Sequence, residues 1–173
     1  PELLKLITVS GGMTFFFSQL LAMKQNKVRR MLGYSSIGQL GLLILIAGLG
    51  TSINSSEILA GFQIPGIPGS SGVFLLLLLF AGNHLLSKAG LFWLSGIMDA
   101  ETVTESAAGG SLRKKPFIAG IFGLLTAALA GLPPFPSFWA KWVLVMALAA
   151  TGNYFLVGVV LLGSLIEAWY LFR

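Results

Sequence analysis

Lys88 lies inside the apolar stretch Val73–Met98 of this 173-residue chain, with His84 four residues before it and Asn83 and Ser87 nearby. Helical periodicity puts His84 and Lys88 on one face, a single turn apart. A charged group at the centre of a bilayer costs at least ~2.5 to 3.5 kcal/mol on insertion scales, so an ionisable residue there is a functional candidate by default. Burial disfavours the ammonium, and a nearby carboxylate or water favours it, so small changes around such a lysine load and unload its proton. That is the behaviour a proton relay needs. The competing readings are a snorkelling lysine, or one that serves a helix carbonyl, and for His84 a hydrogen-bonded core histidine. His84 is the only histidine and the chain has no cysteine, so a metal centre, a disulfide, a thiolate-held cluster and a cysteine nucleophile all lack their ligands.

Lys141 follows the segment Leu132-Pro133-Pro134-Phe135-Pro136 in the string Phe138-Trp139-Ala140-Lys141-Trp142. Pro133, Pro134 and Pro136 break a helix, because each lacks an N–H and restricts the residue before it. Non-helical backbone at membrane depth survives only when buried in protein or lining a hydrated cavity, and a lysine beside it can exchange protons with such a path. The alternative is an interfacial lysine within an aromatic belt. Glu167, six positions before Arg173, is a further relay candidate, set against pairing with a neighbouring helix or a place near the headgroups. Lys27-Val28-Arg29-Arg30 reads by composition as a cytoplasmic-side anchor.

The elements that must hold these residues are membrane helices. Hydrophobic residues make up 55% of the chain and charged residues 10%, against roughly 25% charged in an ordinary soluble domain. With a mean hydropathy of +0.88, the composition argues against a soluble enzyme and for an integral membrane protein. The net charge of +5 sits largely in the turn Lys24–Arg30 and in Arg113–Lys115, as cytoplasmic-side ends require. Spans are expected at Leu6–Met23, Met31–Leu49, Val73–Met98 and Asn153–Phe172. Gly50–Ser71 reads as an external loop and Asp99–Pro116 as a solvated connector. Phe117–Gly131 and Ser137–Thr151 are each short of the ~20 residues that cross a bilayer. They form either one span interrupted at Leu132–Pro136 or two short spans, giving an all-α bundle of five or six membrane segments in a single domain, 1–173. The chain opens on Pro1 and reads as a piece of a longer one. Nothing resembles a nucleotide-binding loop or a catalytic triad.

Three blocks carry a family resemblance. Gln25-Asn26-Lys27-Val28-Arg29-Arg30-Met31-Leu32-Gly33-Tyr34-Ser35-Ser36-Ile37-Gly38-Gln39-Leu40-Gly41 resembles a segment of the antiporter-like membrane subunits of respiratory complex I, membrane-bound hydrogenases and Mrp-type antiporters. Asn83-His84-Leu85-Leu86-Ser87-Lys88-Ala89-Gly90-Leu91-Phe92 and Gly131-Leu132-Pro133-Pro134 through Phe138-Trp139-Ala140-Lys141 are similar to two further blocks of that family, in the same order. The resemblance covers essentially the whole chain and implies the C-terminal half of such a subunit. By position it makes Lys88 the central channel lysine, His84 its companion, Lys141 the terminal residue of the interrupted helix, and Arg30 a match for a lysine at the start of its helix. Asn26 stands where the family carries an acidic residue, Ser137 for a glycine, and Phe80 where some members have another histidine, which leaves fewer titratable stations.

The implied activity is proton translocation across a coupling membrane in a redox-driven complex of NADH:quinone oxidoreductase or hydrogenase type. On this reading Lys88, His84, Lys141, Arg30 and Glu167 are the translocation candidates, and no cofactor or metal is held by this chain. Iron–sulfur clusters with flavin or a nickel–iron centre are expected in partner subunits, alongside other membrane and peripheral subunits and without nucleic acid. The expected location is a bacterial or archaeal cell membrane, or an organellar coupling membrane. The alternatives are a Na+/H+ antiporter subunit with no redox partner, told apart by co-purification with iron–sulfur or flavin subunits, and a structural subunit whose lysines only stabilise packing.

Overall fold

The computed structural model describes residues 2–49, 72–97 and 116–173. Among them every regular element is an α-helix: α1 (Glu2–Met23), α2 (Val28–Gly48), α3 (Gly72–Ile97), α4 (Pro116–Ala130), α5 (Pro136–Ala150) and α6 (Tyr154–Phe172). Four of these, α1, α2, α3 and α6, are long and apolar enough to cross a membrane. The expected loop Gly50–Ser71 and nearly all of the connector Asp99–Pro116 lie outside the described residues. Helices α1 and α2 start earlier than hydropathy suggests, at Glu2 and Val28. Hydropathy marks where a helix meets lipid, whereas backbone hydrogen bonding continues into the headgroup layer.

The distribution of side chains is that of a protein dissolved in lipid. Leu3, Leu6, Phe17, Leu40, Leu85, Leu86, Trp93, Phe117 and Leu165 face outward, while Thr8, Gln19, Ser35, Gln39, Ser87, Lys88, Lys141 and Glu167 are buried. Hydrocarbon does not penalise exposed leucine, so the interior is where polar groups gather. Close backbone packing makes this possible. A Cβ on Gly11 would lie 2.5 Å from the backbone N of Leu45, and one on Gly41 would lie 2.6 Å from that of Phe15, so α1 and α2 cross at a point only glycine permits.

The order of contacts along the helices fixes the number of crossings. The chain turns back at Lys24–Lys27, so α1 and α2 are antiparallel, with Thr8 against Gly48 at one end and Gln19 against Gly38 towards the other. Phe80 of α3 packs with Leu42, Leu45 and Leu49 of α2, whereas Leu91 packs with Val28 and Leu32, so α3 runs antiparallel to α2. Helix α4 lies along the second half of α3, with Leu125 and Leu129 near Leu91, and α5 lies along the first half, with Ala140 and Leu144 in the cluster of Phe80. The two pieces therefore follow one another along α3 as a single interrupted crossing. Helix α6 returns beside α1, from Leu156 near Gly12 to Tyr170 beside Gln19. Of the five or six segments expected, the described residues form five crossings. The turn Lys24–Lys27, the end of α3, the start of α4 and Arg173 share one side.

Candidate functional site: a buried lysine and carboxylate cluster at the broken helix

The break is made by residues 131–135. Gly131 adopts φ 78°, which a side chain would strain, and the N–H of Leu132 donates to the carbonyl of Ala127 at 3.1 Å, the hydrogen bond of a glycine-terminated helix end. Pro136 starts α5 at the first helical position, where its missing N–H is no loss. The peptide Pro133–Pro134 is cis. A helix that stops at membrane depth leaves its last carbonyls without backbone partners. Here side chains supply the donors: Asn83 Nδ2 donates to the Ala128 carbonyl at 2.8 Å, and Lys141 Nζ donates to that of Ala130 at 3.3 Å. The ammonium also sits at the negative end of the α4 dipole.

Lys141 Nζ makes a second and shorter contact, 2.8 Å to Oε2 of Glu167 on α6. Glu167 is 0% exposed. Its other oxygen accepts from the amide of Gln39 and, at 3.3 Å, from the hydroxyl of Ser35, both on α2. Three helices thus meet at one carboxylate, and both of its oxygens accept from at least one donor, as burial of a charge requires. Trp139 and Trp142, the aromatic neighbours of Lys141 in sequence, are each more than half exposed while Lys141 is buried. The aromatic belt is therefore a property of the tryptophans, and the lysine points the other way. A cavity of about 180 Å³ opens on Lys141, walled by Ala130, Gly131, Phe138, Val160 and Ser164, and the hydroxyl of Ser164 is buried with no hydrogen-bond partner among the described residues.

Lys88 is buried on α3 and its Nζ donates to the backbone carbonyl of Leu32 on α2. The contact is with a helix carbonyl one turn from the start of α2. His84 is half-buried on the same helix, and its Nδ1 has no hydrogen-bond partner among the described residues. Arg30 stands apart: it is exposed beside Gln25, Gly33 and Tyr34 at the basic end of α2. The structure thus brings Lys141 and Glu167 into contact, ties Lys88 of α3 to the same helix α2 whose side chains hold Glu167, and leaves Arg30 at the surface.

Sequence reasoning passed over Ser35 and Gln39 as site residues, although both fall within the first family block. Their spacing of four on α2, with Leu32 three residues before Ser35, was the available signal. It also missed Tyr170, whose hydroxyl donates to Gln19 Oε1 at 2.6 Å and extends the buried polar group towards α1.

Residues 1–167 match the family described as "NADH:quinone oxidoreductase/Mrp antiporter, TM". The chain belongs to this family. Among the relatives of this antiporter-family chain, an NADH-quinone oxidoreductase subunit N of Desulforudis audaxviator is 30% identical over 91% of the chain and 28% of its own length. A D-type component of the Na(+)/H(+) antiporter of Alkalihalophilus pseudofirmus is 28% identical over 97% of the chain and 31% of its own length. An NAD(P)H-quinone oxidoreductase chain 5 of Synechocystis is 30% identical over the full chain and 24% of its own length. The chain thus spans from about a quarter to just under a third of the length of these relatives.

Proposed function

We propose that this integral membrane chain forms part of a subunit that moves protons across a coupling membrane, driven by electron transfer in partner subunits of NADH:quinone oxidoreductase or hydrogenase type. The observation that carries the reading is the Lys141–Glu167 pair, buried where a membrane crossing is broken, with Lys88 buried on the neighbouring α3. Ionisable groups are retained at such depth, against their insertion cost, where protons or ions move. Lys88 and Lys141 are the two proton carriers of this reading and His84 is a shuttle on the α3 face. Arg30, at the basic surface, belongs to the approach rather than to the buried path. Redox cofactors, iron–sulfur clusters with flavin or a nickel–iron centre, reside in partner subunits. The membrane is a bacterial or archaeal cell membrane, or an organellar coupling membrane.

A second reading, exchange of Na+ for H+ without a redox partner, is favoured by the Na(+)/H(+) antiporter relative from Alkalihalophilus pseudofirmus, which aligns over almost the whole chain. Both readings are tested on the full-length protein in its native complex, reconstituted in proteoliposomes, comparing Lys88→Ala with the wild type. Redox-driven pumping predicts that ΔpH formation is lost in Lys88→Ala and that ΔpH in the wild type tracks electron transfer measured on the same samples. Full pumping per electron in an assembled Lys88→Ala complex would remove Lys88 from the path. A ΔpH that follows an imposed Na+ gradient in the absence of any electron donor would favour the antiporter.

A further inference from the structure

Among the described residues the buried charged side chains are two lysines, Lys88 and Lys141, and one carboxylate, Glu167. One carboxylate cannot neutralise both lysines, and an unpaired buried charge is expensive. In the structure Lys141 holds the carboxylate, and Lys88 has only a carbonyl, that of Leu32. Leu32 and Ser35 are one turn apart on the same face of α2, and Ser35 is 0% exposed with its hydroxyl on Glu167. A hydroxyl both donates and accepts, so Ser35 can pass a proton without holding it. Of the other groups facing Glu167, Gln39 is a neutral amide, which relays protons less readily than a hydroxyl, and the Tyr170 hydroxyl, one turn on along α6, donates to Gln19 and also interacts with Ser35.

Resting on the proton-translocating reading above, we propose that Glu167 is itself a proton station, loaded from Lys88 through the Ser35 hydroxyl, and that its loading releases Lys141. The step balances. The Lys88 ammonium gives a proton to the Ser35 oxygen as Ser35 gives its own to Glu167, leaving a neutral amine, an unchanged hydroxyl and a neutral carboxylic acid. A neutral Glu167 no longer holds the ammonium of Lys141, whose side chain already borders the cavity beside Gly131 and Ser164. One carboxylate thereby ties the charge state of α3 to the position of the lysine on α5.

The test is redox-triggered infrared difference spectroscopy of the full-length protein in its complex, with pumping measured on the same preparations. The wild type is expected to show a carboxylic-acid C=O band that forms during turnover, shifts in D2O, and is missing in Glu167→Gln and Lys88→Ala. Ser35→Ala, which keeps every charge, is expected to delay that band and lower the protons pumped per electron at least several-fold, with Ser35→Thr restoring both. If Glu167→Gln does not assemble, the Ser35 pair decides. An identical spectrum in the wild type and Glu167→Gln, or wild-type pumping in Ser35→Ala, would overturn the proposal while leaving Lys88 on the path. Full pumping in Lys88→Ala would instead overturn the reading on which it rests.

Discussion

A buried ion pair is best judged by what happens when one member is removed. Lys141→Met leaves the buried Glu167 without its strongest donor. Breaking such a pair costs about 3 to 5 kcal/mol, whereas replacing both partners by neutral groups of similar size is far less damaging. Lys141→Met is therefore expected to lower resistance to denaturation in detergent by about that amount, and Lys141→Met combined with Glu167→Gln is expected to regain most of it. If the double variant is as unstable as the single one, the pair does not act as a unit. At this scale the sequence was partly legible. Lys88 and Lys141 stand out because a charge within an apolar run is conspicuous in itself. Glu167 stood out as well, but its partner lies 26 residues away and its serine donor 132 residues away, separations that no local pattern encodes.

Helices keep those donors on target through their spacing. The α1–α2 crossing has no room for a side chain: a Cβ on Gly41 would meet the backbone N of Phe15 at 2.6 Å and the carbonyl of Gly11 at 2.7 Å. Gly41→Val is expected to push the two helices apart, move Ser35 and Gln39 away from Glu167, and reduce the protein recovered in assembled form, read by native gel and co-purification. Gly33→Ala, where nothing lies within 4 Å of the added methyl, is the control and is expected to assemble normally. The broken crossing obeys a related rule. Its prolines announce an interruption in the sequence, yet the donors that make the interruption tolerable, Asn83 and Lys141, come from another helix and from beyond the break. At the far end of α5 the chain again stops on a glycine, Gly152 at φ 74°, with the Asn153 N–H on the Leu148 carbonyl at 2.9 Å.

The whole molecule has a polarity that can be measured directly. Five crossings put the turn holding Asn26 and the turn holding Asn153 on opposite sides of the membrane, and the positive-inside rule predicts the cytoplasmic side for the basic turn around Asn26. Because these 173 residues contain no cysteine, Asn26→Cys and Asn153→Cys each place a single thiol within them. A membrane-impermeant maleimide applied from outside intact cells is expected to label Asn153→Cys alone. Labelling of both or of neither from one side would mean that α4 and α5 cross separately, a sixth crossing.

Composition and hydropathy alone determined that the chain is a membrane helix bundle, where most of its spans lie, that one region is broken by proline, and which lysines are out of place in lipid. Those are properties of each residue against its solvent, and they survive without knowledge of any partner. Tertiary structure decided that the two short helices form one crossing, that Lys141 turns inward while its tryptophans face outward, and that Ser35 and Gln39 hold Glu167. Each of these depends on the rotation of one helix about its axis relative to the next. That rotation is set by close packing at places such as Gly11 against Gly41 and Gly163 against the ring of Phe15, not by hydropathy along the chain.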